Sequence, residues 1–318
     1  MGRDNQKNIE TSKEMAAVET EYSELIEALC AGIDVPTSRR SSHDQPLPSR
    51  ETVIDAIEEI RSILFPGYFG ISKLEPASIR YHIGSAVARV KNMLEEQIKR
   101  GLCFVCQESH DCILECDKRA KDIASSFFAK LPEVRKMLAT DVQAAFEGDP
   151  AATSPDEAIF CYPGLLAITS YRLAHELYLL GVPIIPRIIT EHAHSITGID
   201  IHPGTKIGEG FFIDHGTGVV MGETCVIGNN VCIYQGVTLG AKSFPLDSEG
   251  NPIKGIPRHP VVEDDVIIYS GATILGRVVI GKGSVIGGNV WLTHDVGPGS
   301  KITQMEARSE KFESGAGI

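Results

Sequence analysis

The sequence predicts an α+β protein in which an N-terminal all-α helical domain is followed by a left-handed parallel β-helix of hexapeptide repeats. Apolar residues three and four apart predict the helices, and a second, six-residue period appears in the last third of the chain. A helix repeats about every 3.6 residues and a strand about every 2, so a period of six requires a solenoid of short, stacked coils. The residues at six-residue steps are Val262, Ile268, Ile274, Ile280, Ile286 and Leu292.

The helical part comes first along the chain. Residues 8–33 are predicted to form an amphipathic helix, and residues 36–50 read as a linker rich in Pro, Ser and Arg. A short helical segment ends near Ile196. The other helices are predicted over 51–64, 78–101, 116–131, 132–148 and 163–180. The expected domains are a helix and linker (1–50), a helical domain (51–192), the β-helix (193–304, with a loop at 241–260) and a flexible tail (305–318).

The six-residue phase also appears upstream, at Ile201, Ile207, Ile213 and Val219, and resumes after a slip at Ile227, Ile233 and Leu239. Between Leu239 and Val262 there are 23 residues where one repeat needs six, so seventeen residues must leave the coil as a loop. Long loops on rigid solenoids often carry function.

Composition restricts the class of partner. The chain has 318 residues, 42% of them hydrophobic, and a formal charge of -12, which disfavours binding to nucleic acid or to an anionic membrane. The polar start and the lack of a long apolar stretch indicate neither a secretory signal nor a membrane span, so we expect a cytoplasmic protein.

The eight cysteines are expected to be thiols in a reducing compartment. One group, Cys103, Cys106, Cys112 and Cys116 with His110 between them, has enough ligands for zinc or an iron–sulfur cluster. Its spacing is not a standard ligand pattern, and thiols on a helical hairpin are the favoured alternative. We expect no metal to be required for the chemistry.

Two short stretches place an acid beside an imidazole: GIDIHP, which contains Asp200, and IDHGTG, which contains Asp214 and His215. Because Ile213 points inward, Asp214 and His215 should lie at a corner of the coil. Asp200 and Asp214 are fourteen residues apart, within one coil of about eighteen, so both can lie near one edge. A histidine held by a carboxylate is suited to general-base work at neutral pH. A surface histidine with a chance neighbour is the alternative.

The long loop ends in Arg258 and His259. The planar guanidinium of arginine suits a carboxylate, because it can donate two parallel hydrogen bonds. Asp149, between two predicted helices, offers the complementary charge for an ammonium group, although an acid there also suits a turn or a helix cap.

These motifs together resemble the serine O-acetyltransferase family over about residues 135–296. The similarity lies in the run GIDIHPGTKIGEGFFIDHGTGVVMGETCVIGNNVCIYQGVTLG, the later RHP and the preceding ATDVQAAFEGDPAA and YPG. Other hexapeptide acyltransferases share the repeat but not this set of motifs. The N-terminal region is longer than in short members, the loop AKSFPLDSEGNPIKGIP is less rich in glycine, and the usual Val-Pro-Ala-Arg ending is missing.

The resemblance implies that His215 takes the proton from the hydroxyl of L-serine, oriented by Asp200, and that the alkoxide attacks acetyl-CoA directly without an acyl-enzyme. It also implies which residues bind serine: Asp149 and Asp214 the ammonium group, Arg258 and His259 the carboxylate, with Glu223 in support. The positions implied for the coenzyme are small residues that let the pantetheine arm approach the backbone. They are Gly240, Ala241, Ser270, Gly271, Gly287 and Gly288.

The resemblance further implies a homotrimer, paired into a hexamer through the helices, with the active site between neighbouring coils. L-cysteine would inhibit by competing for the serine site. The tail FESGAGI, ending at Ile318, is similar to the terminus with which this family docks into O-acetylserine sulfhydrylase, and a free carboxylate beside one apolar side chain suits such capture.

Three alternatives stay open on the sequence alone. The chain could transfer acetyl groups to another hydroxyl acceptor, such as homoserine or a sugar. It could be a γ-type carbonic anhydrase, which would need three coil histidines around zinc, although His202, His215 and His259 are not spaced as expected. It could also be a non-catalytic scaffold for the sulfhydrylase.

Overall fold

The computed structural model describes residues 22–31, 46–70, 75–106 and 112–304. The expected fold class is confirmed: helices come first and a left-handed β-helix follows. Residues 22–30 are helical. The helices that follow are α1 (Arg50–Leu64), α2 (Pro76–Val105), α3 (Cys112–Gly148), α4 (Pro155–Cys161), α5 (Pro163–Leu179) and α6 (Ile185–Thr197).

The coil turns through three parallel sheets, and each of the first four coils contributes one short strand to every sheet. The first sheet contains β1 (Asp200–Ile201), β4 (Val220–Met221), β7 (Thr238–Gly240), β10 (Thr273–Leu275) and β13 (Trp291–Leu292). The second contains β2 (Lys206–Ile207), β5 (Val226–Ile227), β8 (Val261–Val262) and β11 (Val279–Ile280). The third contains β3 (Phe212–Ile213), β6 (Cys232–Ile233), β9 (Ile267–Ile268), β12 (Val285–Ile286) and β14 (Lys301–Ile302).

Two helices are longer than their sequences predict. The stretches 116–131 and 132–148 form one helix, α3, which continues through Pro132. Proline removes one helical hydrogen bond without ending the helix here, because both halves pack into the same core. Similarly, α2 continues past Gly101, where a Cβ would lie 3.2 Å from the carbonyl oxygen of Pro183. Gly101 therefore permits a close contact and does not mark a helix end.

The register of the first sheet locates the slip in the repeat. Ile201 pairs with Met221 and Met221 pairs with Leu239, steps of 20 and 18 residues. Met221, and not Val219, therefore takes the inward position of its strand, and the prediction for Val219 was wrong. The two extra residues lie between Ile213 and Met221, in the turn that contains His215.

The large loop has the predicted size. Leu239 pairs with Ile274, 35 residues later, which is one eighteen-residue coil plus seventeen. All of residues 242–255 are exposed, so the excess leaves the coil without disturbing its ladders.

The cysteine group differs from the expectation. Cys106, at the end of α2, is disulfide-bonded, which corrects the prediction that every cysteine is a thiol. Cys103 and Cys116 are buried where α2 packs against α3, and they hydrogen-bond to each other. This burial, with the Cys116 hydrogen bond, raises the pKa of Cys103 to about 11. The described residues hold no group of three metal-ligating side chains, and His110 lies outside them.

The α5 helix joins the helical domain to the first coil. Eleven of its seventeen residues are buried, as its apolar sequence predicts. The Tyr171 hydroxyl donates to the carbonyl of Thr205 (2.5 Å), and His175 Nδ1 lies 2.7 Å from the carbonyl of Pro203. A Cβ at Gly164 would lie 2.4 Å from the Ile213 carbonyl oxygen, so only glycine allows this approach. None of the described helices is long and apolar enough to cross a membrane.

A buried ion pair completes this junction. Arg172 of α5 donates from Nε and Nη2 to the two carboxylate oxygens of Asp141 in α3, both at 2.7 Å. The pair also holds the coil, because Arg172 donates to the Gly208 carbonyl (2.8 Å) and Asp141 accepts from the Phe211 amide (3.0 Å). The two side chains are only 4% and 0% exposed.

We expect Asp141→Ala to lower the free energy of unfolding by about 3–5 kcal/mol, because it leaves the Arg172 cation buried without a counter-charge. Urea unfolding at fixed protein concentration measures the loss. Glu133→Ala is the matched control: it breaks an exposed pair with Lys130 on the same helix and should change little. Equal losses in the two variants would contradict the role given to the buried pair.

Candidate active site

Most of the predicted site residues lie at two of the three corners of the coil, while Asp200 is in β1, Gly240 ends β7 and Asp149 follows α3. The first corner joins the first sheet to the second, and its segments are 202–205, 222–225, 241–260 and 276–278. The third corner joins the third sheet to the first, and its segments are 214–219, 234–237, 269–272 and 287–290.

His215 projects from the third corner. It adopts a left-handed backbone conformation (φ 57°) in the two-residue insertion, and its side chain is 71% exposed. The following Gly216 has a φ of 88°, and a Cβ there would lie 2.5 Å from Ile199. The tight turn therefore directs the imidazole away from the core. Its Nδ1 is 3.8 Å from the Asp214 carboxylate, which leaves Nε2 free to face a ligand.

Asp149 reaches the same corner from the end of α3. Its carboxylate accepts hydrogen bonds from the Tyr162 hydroxyl (2.5 Å) and from the Ala151 amide (2.8 Å). These two donors hold the pKa of Asp149 below its usual value, and the nearby His215 acts in the same direction. Asp149, Asp214 and His215 thus form one group with two carboxylates. We did not predict a site role for Tyr162 from the sequence, although this residue lies in the YPG motif beside the coil.

Asp200 is half-buried at the start of β1, on the outer side of the first sheet. Neither an ion pair nor a hydrogen bond joins it to His215, both residues being in the described part of the chain. The carboxylate beside the His215 ring is that of Asp214. The role of Asp200 in orienting the base stays a prediction.

Arg258 and His259 lie at the first corner, where the long loop returns to the coil. Arg258 donates from Nη2 to Glu223 at 2.8 Å. Its Nε is buried and has no hydrogen-bond partner among the residues that the structure describes. A buried, unsatisfied guanidinium N–H is costly, and a carboxylate ligand would satisfy it.

His259 is only 6% exposed and packs directly on Gly222, where a Cβ would fall 2.0 Å from the ring. Its Nδ1 accepts from the Thr224 amide at 3.1 Å. Burial, aided by the charge of Arg258, lowers the pKa of His259 to about 4, so the ring is neutral near pH 7.

Further residues at this corner were not predicted. The Thr224 hydroxyl accepts from the amides of Arg258 (2.9 Å) and His259 (3.2 Å). Arg277 donates from Nη1 to the carbonyls of Thr224 (2.7 Å) and His259 (3.0 Å). Thr224 lies next to Glu223 in the sequence, but no local signal connects Arg277 with the loop.

The predicted coenzyme positions divide between the two corners. Gly240 and Ala241 are at the first corner, and Ser270, Gly271, Gly287 and Gly288 are at the third. All six are partly exposed. A Cβ at Gly288 would lie 3.1 Å from the Ser270 carbonyl oxygen. Glycine therefore allows the backbones of the two neighbouring coils to approach closely at this point.

The coil cysteines are unsuited to nucleophilic work. Burial raises the pKa of both Cys225 and Cys232 to about 12, so neither forms a thiolate near neutral pH.

The family model of the bacterial transferase hexapeptide (six repeats) matches residues 259–294. A plasmid-encoded serine acetyltransferase of Synechococcus elongatus is 52% identical over 301 residues, which are 92% of this chain and 94% of that protein. A serine acetyltransferase of Bacillus licheniformis is 48% identical over 173 residues, 54% of this chain and 76% of that protein.

Solved structures agree with this similarity. Serine acetyltransferase 1 of Entamoeba histolytica, crystallised with L-cysteine, superposes with a TM-score of 0.68 at 34% identity, covering 84% of this chain and 93% of that one. The serine acetyltransferase of Neisseria gonorrhoeae in complex with serine gives a TM-score of 0.52 at 27% identity, covering 80% and 97%.

The lowered pKa of His259 predicts a loss of stability in mild acid. The unfolded chain binds a proton at this position below about pH 6.5, whereas the folded chain does so only near 4. Stability is therefore lost as the pH falls through this window, by about 2 kcal/mol at pH 5. Asparagine at position 259 keeps an acceptor for the Thr224 amide but does not titrate.

Urea unfolding at pH 7 and pH 5, with wild type and His259→Asn at equal protein concentration, measures this loss. Wild type should lose about 2 kcal/mol more than the variant. Equal losses would show that His259 is not held neutral by the fold.

Proposed function

The chain belongs to the serine acetyltransferase family, and we propose that it transfers the acetyl group of acetyl-CoA to the L-serine hydroxyl with His215 as the general base. The observation that carries the proposal is the exposed His215 imidazole between the carboxylates of Asp214 and Asp149, on a corner of a rigid coil.

The reaction needs one proton acceptor. His215 Nε2 takes the proton from the serine hydroxyl as the oxygen attacks the thioester carbonyl carbon, giving a tetrahedral intermediate. The intermediate collapses, the C–S bond breaks, and the leaving thiolate takes the proton back from the imidazolium. The high pKa values of Cys225 and Cys232 support direct transfer without an acyl-cysteine.

Serine offers two charged groups for recognition. Asp149 and Asp214 would bind its ammonium group beside the base. Arg258 would bind its carboxylate, and the unsatisfied Nε supports that role. Glu223 fixes the guanidinium by its 2.8 Å hydrogen bond. Neutral His259 would donate from Nε2, since Nδ1 already accepts from Thr224.

Within one copy of the chain, the residues that would bind the ammonium group of serine lie far from those that would bind its carboxylate. The first sheet lies between the third and first corners, so His215 and Arg258 are about one repeat apart, on the order of 15–20 Å. The ammonium and carboxylate groups of serine are attached to the same carbon atom. We therefore propose that the third corner of one copy meets the first corner of the next, and that three copies close a ring with three identical sites.

The same arrangement accommodates the coenzyme. The small residues at both corners would then line one groove, with the backbone at Gly287 and Gly288 facing Gly240 and Ala241 of the neighbouring copy. Pairing of trimers through the helices is part of the proposal, as is capture of the Ile318 terminus by O-acetylserine sulfhydrylase. The tail lies outside the described residues.

L-cysteine should compete with serine. It has the same ammonium and carboxylate groups, and its thiol replaces only the reacting hydroxyl. The complexes of the Entamoeba histolytica relative with L-cysteine and of the Neisseria gonorrhoeae relative with serine support both ligands.

The alternatives are less well supported. Among the described residues, no three metal-ligating side chains converge, which gives no support to a carbonic anhydrase. An acceptor other than serine would be revealed by following acetyl-CoA consumption with serine, homoserine and sugars. Serine as a poor substrate would refute the proposed activity.

We expect His215→Ala to lower kcat by about 10²- to 10⁴-fold with little effect on unfolding, because the exposed imidazole contributes a proton acceptor and no packing. The measurement is thiol release from acetyl-CoA in the presence of serine. His294→Ala, an exposed histidine on the last coil, is the control and should keep wild-type activity.

The same assay distinguishes whether Asp200 or Asp214 orients the base. If Asp200 orients His215 in the complete site, Asp200→Asn should lower kcat more than Asp214→Asn, and Asp214→Asn should mainly raise KM for serine. The reverse pattern would assign the orienting role to Asp214. Full turnover in His215→Ala would refute the base itself.

A mixing experiment tests whether the site is shared between copies. His215→Ala and Arg258→Ala should each keep only a small residual activity when pure. After denaturation and refolding together in equal amounts, about a quarter of the interfaces should join an intact His215 corner to an intact Arg258 corner. Activity should rise to about that fraction of wild type, whereas a site within one chain would give no recovery.

A further inference from the structure

An open cavity of about 540 Å³ lies on the outside of the helical domain. None of the residues that line it belongs to the coil. It is formed where α1, α2 and α3 meet around Pro132. Its floor is apolar and includes Ile83, Val87, Phe128 and Leu131. Exposed apolar surface that is rimmed by charged side chains is typical of a binding groove.

The rim of the groove is positively charged. Arg135 and Lys136 line it, both are exposed, and neither is in an ion pair within the described residues. The neighbouring acid, Glu133, is paired with Lys130 at 2.9 Å. The groove therefore offers an apolar floor with two available cations at its edge.

Residues 22–30, here named the N-terminal segment, form a helix with the complementary character. Tyr22, Leu25, Ile26 and Leu29 are spaced as one helical stripe and are between 51% and 64% exposed. The acids Glu24 and Glu27 flank the stripe, and the segment contains no basic residue. Most helical stability in proteins comes from the packing of an apolar face, and this stripe is exposed.

We propose that the N-terminal segment docks into this groove of its own chain. The apolar stripe would pack on the floor, and Glu24 and Glu27 would lie close to Arg135 and Lys136. Both surfaces offer apolar contact area, and the charges that flank them are opposite.

The connection is long enough. Residues 32–49 separate the segment from α1 and can span at most about 60 Å when extended. The groove includes Ile63 and Leu64 at the far end of α1, which is only about 21 Å from its start. Docking within one chain is therefore sterically allowed, with length to spare.

A second copy of the groove is a poorer occupant. A twofold contact brings the same patch of both copies together. The interface would then contain Arg135 and Lys136 of both copies, which is electrostatically unfavourable. The acidic N-terminal segment carries the charge that this rim needs.

Hydrogen–deuterium exchange on the full-length protein tests the proposal. Docking should slow exchange of the amides of residues 22–30 by at least about tenfold relative to an unsupported helix. Leu25→Asp should remove this protection, and so should Val87→Asp in the groove. Arg135→Glu with Lys136→Glu should weaken it, and adding Glu24→Lys with Glu27→Lys should restore it.

Cross-linking identifies which chain supplies the segment. Cys30 is exposed, so a short bismaleimide can join it to a cysteine at the groove in Ala139→Cys, with Cys161→Ser to remove the other exposed thiol among the described residues. The product should have the mass of one chain. Lys301→Cys, on the last coil, should give no link and is the control.

Three results would overturn the proposal. These are absence of protection in residues 22–30, protection that survives the groove variants, and cross-linked products with the mass of two chains. The last result would assign the groove to a second copy. Unchanged serine acetylation in every variant is expected, because none of these residues touches the proposed active site.

Discussion

The buried pair between Arg172 and Asp141 connects the two halves of this protein. It joins α3 to α5, and through Gly208 and Phe211 it fixes both helices on the first coil. The proposed ammonium site depends on this contact, because Asp149 follows directly from the end of α3 and meets Tyr162 at the start of α5. A shift between helices and coil would move Asp149 away from His215. The helical domain thus contributes to the proposed site as well as to stability.

The coil itself supplies a rigid frame whose departures from regularity carry the proposed site residues. Its ladders keep eighteen-residue steps between Met221 and Leu239 and between Ile274 and Leu292. Two extra residues at one corner present His215, and seventeen at another return as Arg258 and His259. Because each insertion is confined to a corner, the inward apolar residues keep their register, and the polar residues can be placed without disturbing the core.

Some of this could be predicted from the sequence, and some could not. The repeat beginning at Val262 predicted the coil, and the acid–histidine motifs suggested candidate site residues by their resemblance to a family. The phase at Val219 was misassigned, because both Val219 and Met221 are apolar and only strand pairing distinguishes them. The break at Pro132 was misassigned for a similar reason: packing on both sides of a proline can maintain a helix that local propensity would end.

By itself, the sequence determined the fold class, the size of the loop and the residue types of the proposed site, since these depend on local period and on motifs a few residues long. Tertiary structure decided the rest. It paired Arg172 with Asp141, 31 residues away, and held Tyr162 against Asp149. It also placed His215 and Arg258 at different corners. Those placements result from how three sheets close into a coil and how helices pack on it. The spacing of residues along the chain does not specify which corner of the coil each residue occupies.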